Sequence, residues 1–326
     1  MSQGEFDIIR DYFRQRVGTR ADLPIGIGDD GAVLEADGPL SWVIDTINAG
    51  VHFPDDAPGR AVGHRAMAVN LSDMVAMGAE ARWALLSLTL PDADPDWLSD
   101  FCDGFFALAE QAGCLLAGGD LTRGPLAATV TLLGPLHYHA VTRSGAQPGD
   151  DLLVSGTLGD ARAGLDIALG DGHAADSAEE ALLRRYLYPE PRLALAPLLP
   201  RFANAALDIS DGLCADLGHM LAASGVGADI QPARLPLSDA LKAHATEEAA
   251  MLALAGGDDY EILCAVPPDR SEAFMLAARE HDVPLSRIGR ITREGGLRVL
   301  DSDGEPYDAP DGILPAGFQH FGDQNA

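Results

Sequence analysis

The chain has 326 residues, 47% of them hydrophobic, and a formal net charge of −28 at pH 7. That is enough for one large or two ordinary domains with true cores, and the acidic balance excludes nucleic acid or an anionic membrane as the default partner. Its first residues, MSQGEFDIIRDYF, carry both signs of charge, and no apolar run nears about 18 residues, so a cytoplasmic protein without a membrane span is expected.

The pattern of FDIIRDYFRQRV predicts an amphipathic helix, after which GIGDDGAV sets Asp29 and Asp30 side by side between glycines. A strand pair is expected around AVLEADGPLSWVIDT, with Asp37-Gly38-Pro39 as its turn. A small-residue helix from about 59 to 78, a strand WALLSLTL, a helix opening at Pro95 and strands near 114–118 and 126–134 follow. This order suits a sheet with helices on one face, and TRSGAQPGD at 142–150 reads as a linker.

The second half opens with strand DLLVSG and a helix after Gly159-Asp160, followed by a polar stretch at 170–180. Helices surround YPEPRLAL, where Pro191 favours a helix start. AALDIS, a helix from about 212 to 224, a weakly patterned segment to 255, strand YEILCAV, a helix near 270–281 and two short strands complete it. The expected organisation is α/β (α+β), with domains at 1–140 and 141–326.

Lys242 is the only lysine among 22 basic residues, so no phosphate loop of the glycine-lysine type exists and Schiff-base chemistry lacks its usual residue. Cys102, Cys114, Cys214 and Cys264 form no C-x-x-C pair and are expected to be reduced, buried thiols. There is no G-x-S-x-G elbow and no H-E-x-x-H, and DSDGEPYD at 301–308 reads as a hairpin turn rather than a calcium loop.

Five segments place Asp at the edge of an expected element: GIGDDGAV, VIDTINAGVHF, AVNLSDMVAMGA, GGDLTRGP and LDISDGL. Each has a plain structural explanation. Asp211 can cap a helix, Asp120 can cap a turn, and Asp29-Asp30 can be a solvated loop. Asp73 is harder to dismiss, because it lies with Asn70 at i, i+3 in a small, apolar helix. Asp45 ends an apolar strand and Asp208 lies inside one. Two unit charges about 4 Å apart repel by roughly 4 kcal/mol at an effective dielectric near 20, so gathering these carboxylates demands cations. Divalent ions with oxygen ligands would supply them and prepare the site for polyphosphate. Arg123 and Arg143 suit phosphate oxygens, and His52 is the most suggestive histidine, whereas His137 and His139 read as a strand's surface face.

In these residues and in their order the chain resembles the thiamine-monophosphate kinases of the aminoimidazole ribonucleotide synthetase superfamily. GIGDDGAV, DTINAGVHF, AVNLSDMVAMGA, GGDLTRGP, TRSGAQPGD, LDISDGL, GGDDYEIL and GFQHF carry the resemblance over nearly the whole chain. It implies a two-domain fold, with a ferredoxin-like N-terminal sheet-and-helix layer and a C-terminal α/β sandwich. It also implies transfer of a phosphoryl group from ATP to thiamine monophosphate, and a homodimer formed through the N-terminal sheet. By the resemblance Asp30, Asp45, Asp73, Asp120, Asp208 and Asp211 hold several Mg²⁺ ions. Gly119, Asp120, Arg143 and Ser210 meet ATP, while His52, Asp258 and Phe318 meet the thiamine substrate.

Two departures stand out: Val43-Ile44 replace the usual hydroxyl residues before Asp45, and GGDDYE replaces G-G-E-D-Y-E, leaving Asp258 one methylene short. The alternatives are another ATP-using member of the superfamily and a non-catalytic Mg-nucleotide-binding protein.

Overall fold

The computed structural model describes residues 4–170 and 172–307. The chain divides into two compact units, the first taking residues to Val75 and Ala79–His137, the second Ala76–Gly78 and the chain from Tyr138 onward.

The first unit is a four-stranded sheet in the order β1-β4-β2-β3, formed by β1 (Leu40–Asn48), β2 (Trp83–Leu90), β3 (Leu115–Arg123) and β4 (Ala127–Pro135). Strand alternation makes one face apolar, with Ala84, Leu86 and Leu88 of β2 beside Ala128, Val130 and Leu132 of β4, all buried. Helices Gly59–Ala76 and Pro95–Gln111 provide the cover. They pack backbone to backbone, since a Cβ at Gly63 or Gly104 would lie 2.0 Å from the carbonyl oxygen of Phe101 or Arg60. Asp94 caps the second helix through the N–H groups of Asp96 and Trp97, and Pro95 occupies its first turn as expected.

The opposite face of this sheet is polar at one end and apolar at the other. Strand register aligns Thr46, Thr129, Ser87 and Asp120 in one row and Ile44, Thr131, Leu85 and Gly118 in the next, with Trp42, Leu133 and Trp83 beyond. Trp42 is 71% and Ile44 65% exposed on this face.

Several expectations need correction. Of the strand pair expected around AVLEADGPLSWVIDT only the second strand forms, as β1, and it pairs with β4; in the first, Val33 makes only an isolated antiparallel bridge to Ile25. β3 runs through Gly-Gly-Asp to Arg123, so Asp120 lies within a strand and caps no turn. Asp45 sits mid-strand rather than at a strand end, because β1 continues to Asn48. His137 and His139 are exposed outside any strand.

In the second unit six strands are ordered β10-β7-β9-β5-β8-β6. They are β5 (Asp151–Ser155), β6 (Ala205–Asp208), β7 (Gly227–Ile230), β8 (Ile262–Val266), β9 (Leu285–Thr292) and β10 (Gly296–Val299). β5 and β8 are buried along their whole length, which explains their unbroken apolar runs. Helix Leu213–Ser224 adds Leu213, Leu217, Met220 and Leu221 to the core that β5, β6 and β8 share. The weakly patterned segment before 255 holds β7 and the short helices Asp239–His244 and Ala249–Ala255.

Residues 142–150 are no free linker. The Thr142 carbonyl accepts the Ala206 N–H at 3.1 Å, and Ser224 Oγ accepts the N–H groups of Gly145 and Ala146 at 3.2 Å each. Cys102, Cys114 and Cys264 are buried free thiols as expected, while Cys214 is only half-buried. The 301–307 segment is a tight turn, with Asp301 Oδ1 accepting from the N–H groups of Asp303 and Glu305.

Candidate active site

In the first unit the Ile25–Val33 bridge closes the loop that carries Asp29 and Asp30, with the Val33 N–H donating to the Ile25 carbonyl at 2.9 Å. Both carboxylates are exposed, and Asp29 Oδ1 accepts the Asp30 N–H at 2.9 Å. They line a cavity of about 1130 Å³ with Ser87, Thr129, Gly119 and Asp120, and with Arg10 and Arg14 from the N-terminal helical segment. The two glycine-flanked acidic motifs, some ninety residues apart in sequence, thus share one concave surface.

Gly119 is what lets Asp120 arrive there. It pairs with Leu86, has φ +158, and any Cβ would sit 1.9 Å from the Leu86 carbonyl oxygen. Only glycine permits β2 and β3 to approach so closely at that rung.

Asp45, His52 and Asp73 do not line this cavity. Asp45 pairs with Val130, whose neighbour on β2 is Leu86, so it belongs to the sheet face opposite Thr46 and Asp120. His52 follows β1 in a turn, where Nδ1 accepts the Asn48 N–H at 3.1 Å; the neutral ring therefore carries its proton on Nε2. Asp73 is half-buried in helix Gly59–Ala76. One turn before it, buried Asn70 donates from Nδ2 to the Ala66 carbonyl at 3.0 Å, and its Oδ1 has no hydrogen-bond partner among the described residues.

In the second unit Asp208 is the buried last residue of β6, and the loop Ile209–Gly212 leads into helix Leu213–Ser224. Asp211 is not the cap of that helix. The N–H groups of Ser210, Asp211 and Gly212 all point to Asp216 Oδ2, at 3.0, 2.9 and 3.1 Å, so Asp216 organises the loop and leaves the Asp211 side chain out of that task. Burial pushes the Asp216 carboxyl up to about 7, with the charges of Asp211 and Asp208 adding to the rise and its backbone hydrogen bonds opposing it. Ligand atoms of Asp211, Asp216 and His219 lie within 4.8 Å of one another. Arg143 is exposed, and its carbonyl accepts from Ser224 Oγ at 3.3 Å.

The GGDDYE segment adjoins this loop. The Asp258 N–H donates to the Ser210 carbonyl at 2.9 Å, the Tyr260 N–H to the Ile209 carbonyl at 2.8 Å, and the Ile209 N–H to the Glu261 carbonyl at 2.8 Å. Asp258 and Tyr260 both hold left-handed backbone, φ 67 and φ 51, a conformation costing roughly 1–3 kcal/mol at each non-glycine residue.

The residues between and after them hold that backbone in place. Buried Asp259 accepts the Gly159 N–H at 2.8 Å; burial raises its carboxyl well above the usual range, against that hydrogen bond, with the charges of Asp160 and Glu261 assisting. Fully buried Glu261 accepts from Arg192 at both oxygens, from Arg185 at 2.8 Å and from Ser155 Oγ at 2.6 Å. Burial pushes its carboxyl up, but the Arg192 hydrogen bonds and the two guanidinium charges outweigh this and leave it below the usual range. Phe318 lies outside the described residues.

Sequence reasoning missed Asp216, Glu261, Arg185 and Arg192. Asp216 left a signal, an acidic residue in the first turn of a helix that lacks a side-chain cap. The arginines left none, because they meet Glu261 only through tertiary packing.

Residues 28–136 match the family described as AIR synthase related protein, N-terminal domain, and residues 147–302 match its C-terminal domain. The thiamine-monophosphate kinase of Escherichia coli (strain K12) is 43% identical over 98% of this chain and 99% of its own. The crystal structure of the thiamine-monophosphate kinase from Stenotrophomonas maltophilia K279a superposes with a TM-score of 0.86 at 44% identity, covering 94% of this chain and 99% of that one. AaThiL complexed with AMPPCP and TMP superposes at 0.79 with 34% identity, covering 98% and 97%. With both domains matched and the acidic motifs in order over nearly its whole length, the chain belongs to the thiamine-monophosphate kinase family of AIR synthase related proteins.

Proposed function

We propose that the chain transfers the γ-phosphoryl group of ATP directly to the phosphate of thiamine monophosphate, yielding thiamine diphosphate and ADP. An acceptor phosphate oxygen forms the new P–O bond as the bond from Pγ to the β-γ bridging oxygen breaks, and ADP leaves with that electron pair. The acceptor is already anionic, so no general base is needed and the protein's work is positioning and charge neutralisation. The observation that carries this reading is the convergence of Asp29, Asp30 and Asp120 on one cavity in a chain 43% identical to a thiamine-monophosphate kinase over nearly its full length.

Asp30, Asp45, Asp73, Asp120, Asp208 and Asp211 are proposed to hold Mg²⁺. The donor set is suitable: carboxylate oxygens throughout, and one turn before Asp73 the buried Asn70 Oδ1, which has no hydrogen-bond partner among the described residues. Bound Mg²⁺ would neutralise the polyphosphate oxygens between which charge moves. Gly119, Asp120, Arg143 and Ser210 are assigned to ATP; the Gly119 backbone admits close approach, and the exposed Arg143 guanidinium suits a phosphate oxygen. His52 presents an Nε2 donor to the acceptor, Asp258 accepts from its aminopyrimidine, and Phe318 stacks on it.

Residues 1–140 and 141–326 are taken as the two functional domains. A second copy of the chain is proposed to cover the apolar end of the sheet face of the first unit where Trp42, Ile44 and Leu85 are exposed together and line the same cavity as Asp29, Asp30 and Asp120. Four free cysteines favour a reducing, cytoplasmic setting.

The test is an ATP-dependent assay with thiamine monophosphate, thiamine and pyridoxal as competing acceptors, following ADP and thiamine diphosphate, with and without chelator. Turnover of thiamine monophosphate that stops on chelation and returns with Mg²⁺ supports the proposal. Activity on free thiamine only, or Mg·ATP binding without turnover, overturns it.

A further inference from the structure

The GGDDYE loop anchors alternate residues. At Gly257 a Cβ would lie 2.5 Å from the Ser210 carbonyl oxygen, so this residue is pressed against the Ile209–Gly212 loop. Asp259 is tied to the backbone at Gly159, and Glu261 to Arg192, Arg185 and Ser155. Asp258 and Tyr260 take the alternate positions. The Tyr260 hydroxyl donates to Asp258 Oδ1 at 3.1 Å, while the rest of the tyrosine is almost wholly enclosed and its N–H is bound to Ile209.

We propose that Tyr260 is a positioning residue for acceptor recognition, its hydroxyl fixing the Asp258 carboxylate in the orientation that receives the amino group of the acceptor's pyrimidine. This rests on the assignment of Asp258 to the acceptor. A half-buried aspartate has its own rotamer freedom, and ordering it on binding weakens affinity. A phenol held by an enclosed ring and a fixed backbone removes that freedom beforehand. It uses one of the roughly four lone-pair directions a carboxylate offers, so this contact does not itself bar Asp258 from accepting from a ligand. The shorter side chain of Asp258 makes such orientation more important, since a given angular error at the β-carbon cannot be corrected by a further methylene. Because the contact acts equally on bound substrate and transition state, its loss belongs in KM and not in kcat.

The test compares Y260F, D258A and the double variant in steady-state kinetics with Mg·ATP and thiamine monophosphate. Y260F is expected to raise the acceptor KM about five- to tenfold, the size of one ordinary hydrogen bond, leaving kcat and the KM for ATP within about twofold. D258A is expected to raise the acceptor KM at least as much, and Y260F should add nothing on that background. If D258A raises the KM and Y260F does not, or if the two effects simply add, the positioning role of Tyr260 is wrong while Asp258 keeps its assignment. If D258A leaves the acceptor KM unchanged, the assignment of Asp258 falls and the inference with it. A Y260F that lowers kcat or raises both KM values equally reports a structural role and also overturns the proposal.

Discussion

Asp216 Oδ2 accepts the backbone N–H of Asp211 at 2.9 Å, together with those of the residues on either side of it. One oxygen therefore sets the path of the loop that carries Asp211. Removing it leaves three N–H groups without their acceptor, at a cost of about 1–3 kcal/mol for each group that stays buried. D216A is expected to lower kcat at least tenfold and to reduce the melting temperature by several degrees, whereas D216N, which keeps an oxygen acceptor, should lie between it and wild type. Turnover and thermal unfolding on the same samples check this; a D216A protein with wild-type kcat would show that the loop holds itself.

Two glycines should respond oppositely to the same substitution. A Cβ at Gly119 would be driven into the Leu86 carbonyl, and two paired strands cannot separate locally to admit it. G119A is expected to cost about 2 kcal/mol or more and to lower the melting temperature accordingly. Gly218 lies inside helix Leu213–Ser224, where an added methyl group would meet nothing within 4 Å, so G218A should stabilise by about 0.5–1 kcal/mol. Calorimetry of both variants against wild type decides it.

Asp259 and Glu261, two residues apart, should bend the pH dependence of stability in opposite directions. Asp259 has a folded-state pKa well above its ordinary 3.8, so the native protein holds that proton more tightly than the unfolded chain does. Its contribution falls as pH rises from about 3.8 toward the folded value, and D259N should gain on wild type over that range. Glu261 is shifted below its ordinary 4.5, so its contribution is present above that value and is lost as pH falls through the lower folded one. E261Q should therefore show its full deficit, about 3 kcal/mol for breaking a buried pair, at neutral pH and a shrinking one in acid. Melting temperatures of the three proteins from pH 3 to 8 provide the comparison, the arm above pH 4 reading Asp259 and the arm below pH 4.5 reading Glu261; a curve parallel to wild type across its own arm would remove that residue's assignment.

The exposed apolar row on the first unit's sheet predicts an association state. If a second copy covers Trp42 and Ile44, W42D should shift the protein toward monomer in sedimentation velocity at micromolar concentration, with far-UV circular dichroism retained. A wild-type protein that sediments as a monomer throughout would refute the proposed pairing.

Much of this is legible in the sequence, and the failures have physical causes. Long periodic elements such as helix Pro95–Gln111, with its Asp94 cap, can be placed almost to the residue because their signals are local. β3 reads as ending at Gly118 because Gly-Gly-Asp has poor strand propensity; its continuation depends on a ladder with β2, thirty residues earlier. The segment before 255 is opaque because β7 and its neighbouring helices are only 4 to 7 residues long and are stabilised by what they pack on. The acidic motifs can be recognised from type and spacing, but that Asp216 rather than Asp211 braces the loop depends on three-dimensional placement.

The ladder joining Ile209 and Ser210 to Asp258, Tyr260 and Glu261 also constrains redesign. Neither segment owns its conformation, since each satisfies the other's backbone groups. Transplanting residues 256–261 from a homologue to retune substrate choice would carry only half of a paired structure, so a workable chimera must exchange 208–216 along with them.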